Sequence, residues 1–193
     1  MPKIAIIGAG SVVFTRRLLG DLLSFPSLSD SKIALMDIDA ERLEMISGLA
    51  RRLVADSKTG AQIEATTDRA QALDGADFVI TTIRVGDDDD VDRGIPQRLG
   101  IDQAVGDTID PGGIIKALTT VPVLLDICHD MGRLFPHGWS LNTPIQRLLL
   151  AGRSAKPQPS PTSACATAFK TQPGNSRSTS ALTSLRYPTG RRE

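Results

Sequence analysis

Gly8-Ala9-Gly10-Ser11 stands directly after a short apolar run and directly before residues at helical spacing. That placement suits a phosphate-binding turn. Gly8 permits a tight backbone, and Gly10 lets the backbone approach a diphosphate closely. The helix that starts at Ser11 offers free N–H groups and the positive end of its dipole to an anion. The third glycine of a G-x-G-x-x-G pattern is missing; Val13 holds its place and Phe14 follows. Two glycines also serve an ordinary structural turn. Their position between a first strand and a helix favours dinucleotide binding over that reading.

Carboxylates come next. Asp37 closes the second apolar run, where an acid in this kind of fold grips the adenosine ribose hydroxyls. A carboxylate there favours NAD, because it repels the extra phosphate of NADP. Asp39 either shares the ribose or caps the following helix. Thr81-Thr82-Ile83-Arg84 ends a further strand, and such strand ends line a cofactor crevice. Arg84 faces a substrate or pairs with the acidic run Asp87-Asp88-Asp89-Asp90. That run reads better as a solvated loop than as a metal site, because no histidine or well-spaced glutamate joins it. Cys128 and His129 are adjacent and lie about 100° apart on a helix, so they rarely share an ion. Cys128 is expected in the core, His129 on the surface, and His137 in a turn. No Ser/His/Asp or Cys/His catalytic set can be assembled.

The elements that must position these groups alternate along the chain. Lys3–Ile7 reads as a strand buried on both faces. Val12, Phe14, Leu18, Leu19, Leu22 and Leu23 mark a helix, with Pro26 close behind it. Ile33–Met36 is a second strand. Leu43, Ile46, Leu49 and Leu53 form one face of a long helix. Ala61–Ala65 is a weaker strand, Arg69–Leu73 a helical turn and Ala76–Thr82 another buried strand. Arg84–Asp110 reads as a long polar loop, Gly113–Leu134 as a helix that Pro122 kinks or interrupts, and Trp139–Asn142 as a last strand ending in Asn. The alternation predicts an α/β fold: a Rossmann-type, doubly wound parallel sheet, here incomplete.

Beyond Asn142 the composition changes. Formal net charge over 193 residues is zero, with 22 basic and 22 acidic residues. Residues 1–142 hold 21 of the acids and 14 of the bases, and residues 143–193 hold one acid and eight bases. Residues 154–190 are dominated by Ser, Thr, Pro, Gly, Arg and Lys without a sustained period, which predicts a disordered tail. The expected division is therefore a dinucleotide-binding domain over 1–142 and a tail over 143–193. A basic tail suits nucleic acid or an anionic membrane, or marks a segment shaped by different selection from the rest; the second alternative implies neither partner. Two cysteines give no disulfide framework. The N-terminal apolar run is too short for a signal peptide, and no apolar stretch approaches the roughly 20 residues of a membrane span. A soluble, cytoplasmic protein is expected.

IAIIGAGSVVFTRRLLGDLL, ALMDID, ADFVITTIRVG, GIDQAVGDTIDPGGIIKALTTVPVLLDICHDM and WSLN, taken in order, resemble glycoside hydrolase family 4. They are most similar to its α-galactosidase branch, with DTIDPGGIIKAL the telling stretch. The resemblance runs from residue 1 to about 142. It implies NAD and a divalent metal, usually Mn²⁺, an α-galactoside or related small sugar as substrate, and a homo-oligomer in intact members. It also implies an uncommon route. Hydride leaves sugar C3 for NAD, the C2 proton becomes acidic, the glycosidic oxygen is eliminated, water adds and the hydride returns. The metal would polarise the C3 oxygen. By matching position, Gly8, Gly10, Ser11 and Phe14 carry the phosphate turn, Asp37 and Asp39 the ribose end, Ile83 and Arg84 the strand end between cofactor and substrate, and Asn142 the first Asn of the sugar-contacting N-Y-x-N-P motif.

The departures from that pattern are informative. V-G-G is Val85-Gly86-Asp87 here, and G-P-G-G is Asp110-Pro111-Gly112-Gly113. After Asn142, Thr143-Pro144-Ile145 replaces Y-x-N-P. The metal-binding Cys and His and the catalytic acid and base expected from the resemblance have no counterpart, and Cys165 stands in no matching context. DNA reading TAC ACC AAT CC encodes Tyr-Thr-Asn-Pro; without its first base it reads ACA CCA ATC C, which is Thr-Pro-Ile. A single-base deletion after the Asn142 codon thus accounts for the lost motif, for an out-of-frame tail and for the charge split. The expected product is an inactive chain whose NAD binding is weakened by the lost C-terminal packing. A dehydrogenase of the lactate/malate type, and a non-enzymatic NAD-binding module with a basic tail, are the alternatives.

Overall fold

Four consecutive buried residues, Ile4–Ile7, form most of the first strand, β1 (Lys3–Ile7). Successive side chains of a strand point to opposite faces, so a run of this kind is stable only where both faces are covered. In the computed structural model, which describes residues 1–86, 93–103, 110–134, 139–142 and 167–170, both faces are covered by helices. Ile4 and Ile6 join a core with Leu19, Leu23, Ile33, Leu35, Leu43 and Ile46. Ala5 and Ile7 face the other way, toward Ala34, Met36, Leu73, Val79, Leu124, Ile127 and Met131.

The elements are β1, α1 (Val12–Ser24), β2 (Lys32–Met36), α2 (Ala40–Ser57), β3 (Gln62–Thr66), α3 (Arg69–Leu73), β4 (Phe78–Thr81), α4 (Ile95–Arg98), α5 (Pro111–Leu134), β5 (Trp139–Asn142) and β6 (Thr167–Lys170). The sheet runs β3-β2-β1-β4-β5-β6. Its first five strands are parallel, with Ile7 level with Met36 on one side and with Thr81 on the other. The chain winds outward from β1 to β3, then returns to place β4 on the opposite side of β1. The crevice beyond the carboxyl ends of β1 and β4 is therefore a topological switch point, where ligands of such sheets bind.

Several elements differ from expectation. The stretch 84–110 contains α4, with Pro96 in its first turn and Gly100 at φ +78° just after it; these are ordinary helix start and stop signals. The acidic run Asp87–Asp90 lies outside the described residues, as do His137 and Cys165. Helix α5 starts two residues earlier than expected, because the Asp110 carboxylate accepts from the Gly113 N–H at 2.7 Å and Pro111 opens the helix. It continues through Pro122. That ring is exposed, and the carbonyl it leaves unbonded belongs to Leu118, itself 72% exposed and open to water.

By length and composition α5, at 24 residues, is also long and apolar enough to cross a membrane. This corrects the expectation that no stretch comes near that length. In the fold, α5 lays Leu124, Ile127 and Met131 on the sheet. Its Asp130 also takes a hydrogen bond from Arg69 Nε of α3 at 2.7 Å. Cys128 is exposed rather than in the core, because Leu124, Ile127 and Met131 define the inward stripe and the next position turns about 100° from it. His129 is exposed, as expected.

Residues 167–170, within the stretch expected to be disordered, pair antiparallel with β5, Trp139 opposite Lys170 and Asn142 opposite Thr167. Backbone pairing along an otherwise open strand edge needs only four residues, too few to show as a period in the sequence.

Candidate functional site

The switch-point crevice begins at Gly8. Its φ is +87°, and a Cβ there would lie 2.9 Å from the Ile83 nitrogen and from the Thr82 carbonyl carbon. Both neighbours are backbone and cannot give way, so only glycine lets the end of β1 pass this close to the end of β4. The Gly8 and Ala9 N–H groups both donate to the Met36 carbonyl, at 2.9 and 3.0 Å. The turn is thereby fastened to the end of β2.

Gly10 meets the acid of β2. Its N–H donates to Asp37 Oδ2 at 2.6 Å, and a Cβ on it would lie 2.7 Å from that oxygen. The second glycine thus makes room for Asp37. The sequence points only to a role in admitting a diphosphate. The other oxygen, Asp37 Oδ1, accepts from the Asp39 N–H at 3.0 Å. Asp39 caps α2, accepting from the Glu41 and Arg42 N–H groups at 3.0 and 3.1 Å. Of the two roles open to Asp39, capping is the one seen.

The donors left for an anion are those of the first helical turn. Ser11 is the N-cap of α1, and its side chain makes no capping bond. The Val12, Val13 and Phe14 N–H groups precede the first intrahelical bond, from Thr15 N to Ser11 O. Phe14 is 60% exposed on that turn. The geometry gives a preformed anion seat at the N-terminus of a 13-residue helix, with a carboxylate fixed beside it.

The other expected residues lie on the same edge of the sheet. Ile83 is partly buried against the core and abuts Gly8 through Cγ2. Arg84 follows and is exposed. Asn142 ends β5 in register with Thr81. Two hydroxyls hold the turn: that of Thr82, which the sequence places at the strand end without a role of its own, and that of Thr15, which the sequence reading does not single out. Thr82 Oγ1 donates to the Gly8 carbonyl at 2.7 Å, and the buried Thr15 Oγ1 donates to the Ala9 carbonyl at 2.7 Å. A threonine inside the leucine face of α1 was the available signal for the second.

Among the described residues no group of three His, Cys, Asp or Glu side chains could hold a metal ion. A shallow cleft of about 230 Å³ opens elsewhere, at the β3 edge, lined by Ala34, Glu64, Ala65, Thr66, Gln71 and Ala72. It shares no residue with the glycine turn.

The sequence profile described as Family 4 glycosyl hydrolase matches residues 3–151. The chain belongs to the family 4 glycosyl hydrolases. An α-galactosidase from Rhizobium meliloti (strain 1021) is 45% identical over 67% of this chain and 27% of its own length. An α-galactosidase from Bacillus subtilis (strain 168) is 39% identical over 74% of this chain and 34% of its own. The chain thus spans about a third or less of these relatives. The structure of a 6-phospho-α-glucosidase from gut microorganisms, in complex with NAD and Mn²⁺, superposes with a TM-score of 0.60 at 27% identity, covering 73% of this chain and 32% of the other. Family membership displaces the lactate/malate dehydrogenase alternative.

Proposed function

We propose that this chain carries the NAD-binding portion of a family 4 glycosidase of the α-galactosidase type. The observation that carries the reading is the Gly8–Ser11 turn locked against Asp37 at the switch point of the sheet. The likeness to a relative in complex with NAD and Mn²⁺ and the identity to two α-galactosidases support it. A carboxylate at Asp37 favours NAD over NADP, because both of its oxygens lie among amides where a phosphate would meet a negative charge.

The residues fit the dinucleotide. Ser11 and the first-turn N–H groups of α1 hold the diphosphate, Asp37 holds the adenosine ribose, and Ile83 and Arg84 border the route toward the sugar. NAD, when bound, supplies a hydride acceptor for oxidation at sugar C3, and the same hydride returns at the end of the cycle. The described residues do not fit the divalent metal, since none of them cluster as a ligand set. No step through a metal is assigned to them.

The 193-residue chain by itself is accordingly proposed to bind NAD without hydrolysing glycosides. Calorimetric titration with NAD and with NADP tests the first part; equal affinity for the two, or no binding, overturns it. Incubation with p-nitrophenyl α-galactoside, NAD, Mn²⁺ and reductant tests the second; release of p-nitrophenol overturns it.

A further inference from the structure

The glycine turn is held on its carbonyl side by two hydroxyls that no motif names. Thr82 Oγ1 donates to the Gly8 carbonyl at 2.7 Å and also approaches the Ile7 carbonyl at 3.3 Å. Thr15 Oγ1, fully buried, donates to the Ala9 carbonyl at 2.7 Å. On the amide side, Gly8 and Ala9 donate to Met36 and Gly10 donates to Asp37. Every polar backbone atom of Gly8 and Ala9 is therefore satisfied within the protein.

The consequence is electrostatic. A peptide that rotates by half a turn exchanges its N–H for its carbonyl oxygen, and a carbonyl oxygen facing a diphosphate repels it. Glycine at φ +87° has no side chain to resist such rotation. The hydroxyls of Thr82 and Thr15 supply that resistance. Thr15 is buried in α1 and Thr82 stands half-buried at the exit of β4, so each carbonyl is held on a hydroxyl of the protein. The first-turn N–H groups of α1 are then the polar groups presented to the anion.

We infer that Thr82, assisted by Thr15, is a positioning residue for the diphosphate of the dinucleotide. It acts through the Gly8 carbonyl and does not itself touch the ligand. The inference rests on the proposed NAD reading, and the experiment separates the two.

The full chain and its Thr82→Val, Thr82→Ala and Thr82→Ser variants are titrated by calorimetry with NAD, ADP-ribose and adenosine, and their melting temperatures are recorded. Thr82→Val keeps the shape without the donor, and Thr82→Ala guards against a packing defect of the valine. Both are expected to weaken NAD and ADP-ribose about five- to tenfold, the effect of one hydrogen bond. Adenosine, which has no diphosphate, is expected to bind as it does to the unaltered chain. Thr82→Ser restores all three. Unchanged NAD affinity in Thr82→Val and Thr82→Ala overturns the inference while leaving the NAD reading intact. Parallel loss of adenosine, together with a lowered melting temperature, shows a structural role only and also overturns it. Absence of NAD binding by the unaltered chain removes the cofactor reading and the inference together.

Discussion

The Gly10 N–H donates to Asp37 Oδ2 at 2.6 Å, across 27 positions of sequence. One contact thus joins the phosphate turn after β1 to the ribose acid after β2. Asp37→Ala removes the acceptor for Gly10, the acceptor for Asp39 and the proposed ribose contact at once. Hydrogen bonds to a charged acceptor contribute roughly 1.5–3 kcal/mol each, so a loss of NAD affinity on the order of tenfold to a hundredfold is expected. Discrimination against NADP should shrink in the same variant. Titration of both dinucleotides checks this; retained preference for NAD in Asp37→Ala would place the selectivity elsewhere.

Gly8 and Gly20 make a matched pair of opposite sign. A Cβ at Gly8 meets backbone atoms at 2.9 Å in a left-handed conformation, whereas one at Gly20, inside α1, meets nothing within 4 Å. Gly8→Ala should cost about 1–3 kcal/mol and lower the melting temperature. Gly20→Ala should stabilise by about 0.5–1 kcal/mol, because alanine loses less entropy in a helix. Thermal melts followed by circular dichroism test both, and a Gly8→Ala protein that melts with the parent refutes the claimed close approach.

Much of this architecture was legible from residue pattern. Buried runs such as Ile4–Ile7 and Ile33–Met36 announce parallel strands, and the spacing of Leu43 and Ile46 announces α2. The glycines and Asp37 were legible because their chemistry depends on residue type. Thr82 was placed at the strand end, but its hydroxyl contact and that of Thr15 were not legible, since a threonine hydroxyl bonded to a backbone carbonyl leaves no mark in composition or period. Cys128 shows the limit of a broad apolar stripe: on α5, hydrophobic positions continue past the face that touches the sheet, so pattern alone could not say which side was buried. Strand β6 depends on the free edge of β5, a property of the assembled sheet.

Cys128 combines an exposed residue with a crowded sulfur: desolvation pushes its thiol pKa up. The thiolate is the reactive form. A raised pKa leaves less of it at a given pH, and the onset of reactivity moves to higher pH. In a Cys165→Ser background, which leaves one thiol, Cys128 should react with a maleimide more slowly than a free cysteine at pH 7.5, and the difference should close as pH rises. A rate equal to that of free cysteine at pH 7.5 contradicts the crowding.

Asn142 sits level with Thr81 at the carboxyl edge, and the family profile runs on past it to residue 151. A one-base deletion directly after its codon would convert Tyr-Thr-Asn-Pro, if encoded TAC ACC AAT CC, into the observed Thr143-Pro144-Ile145. It would also account for the eight basic residues and one acidic residue over 143–193. The prediction is therefore about the gene. Resequencing of the locus and its transcript should reveal, in the alternative frame, Y-x-N-P followed by a Cys- and His-bearing segment able to bind a divalent metal. A gene with that base restored should yield a protein that releases p-nitrophenol from p-nitrophenyl α-galactoside in the presence of NAD, Mn²⁺ and reductant. The frame is the decisive observation: if the alternative reading encodes no such segment, residues 143–193 belong to the protein as written, and β6 becomes evidence of a native closing strand.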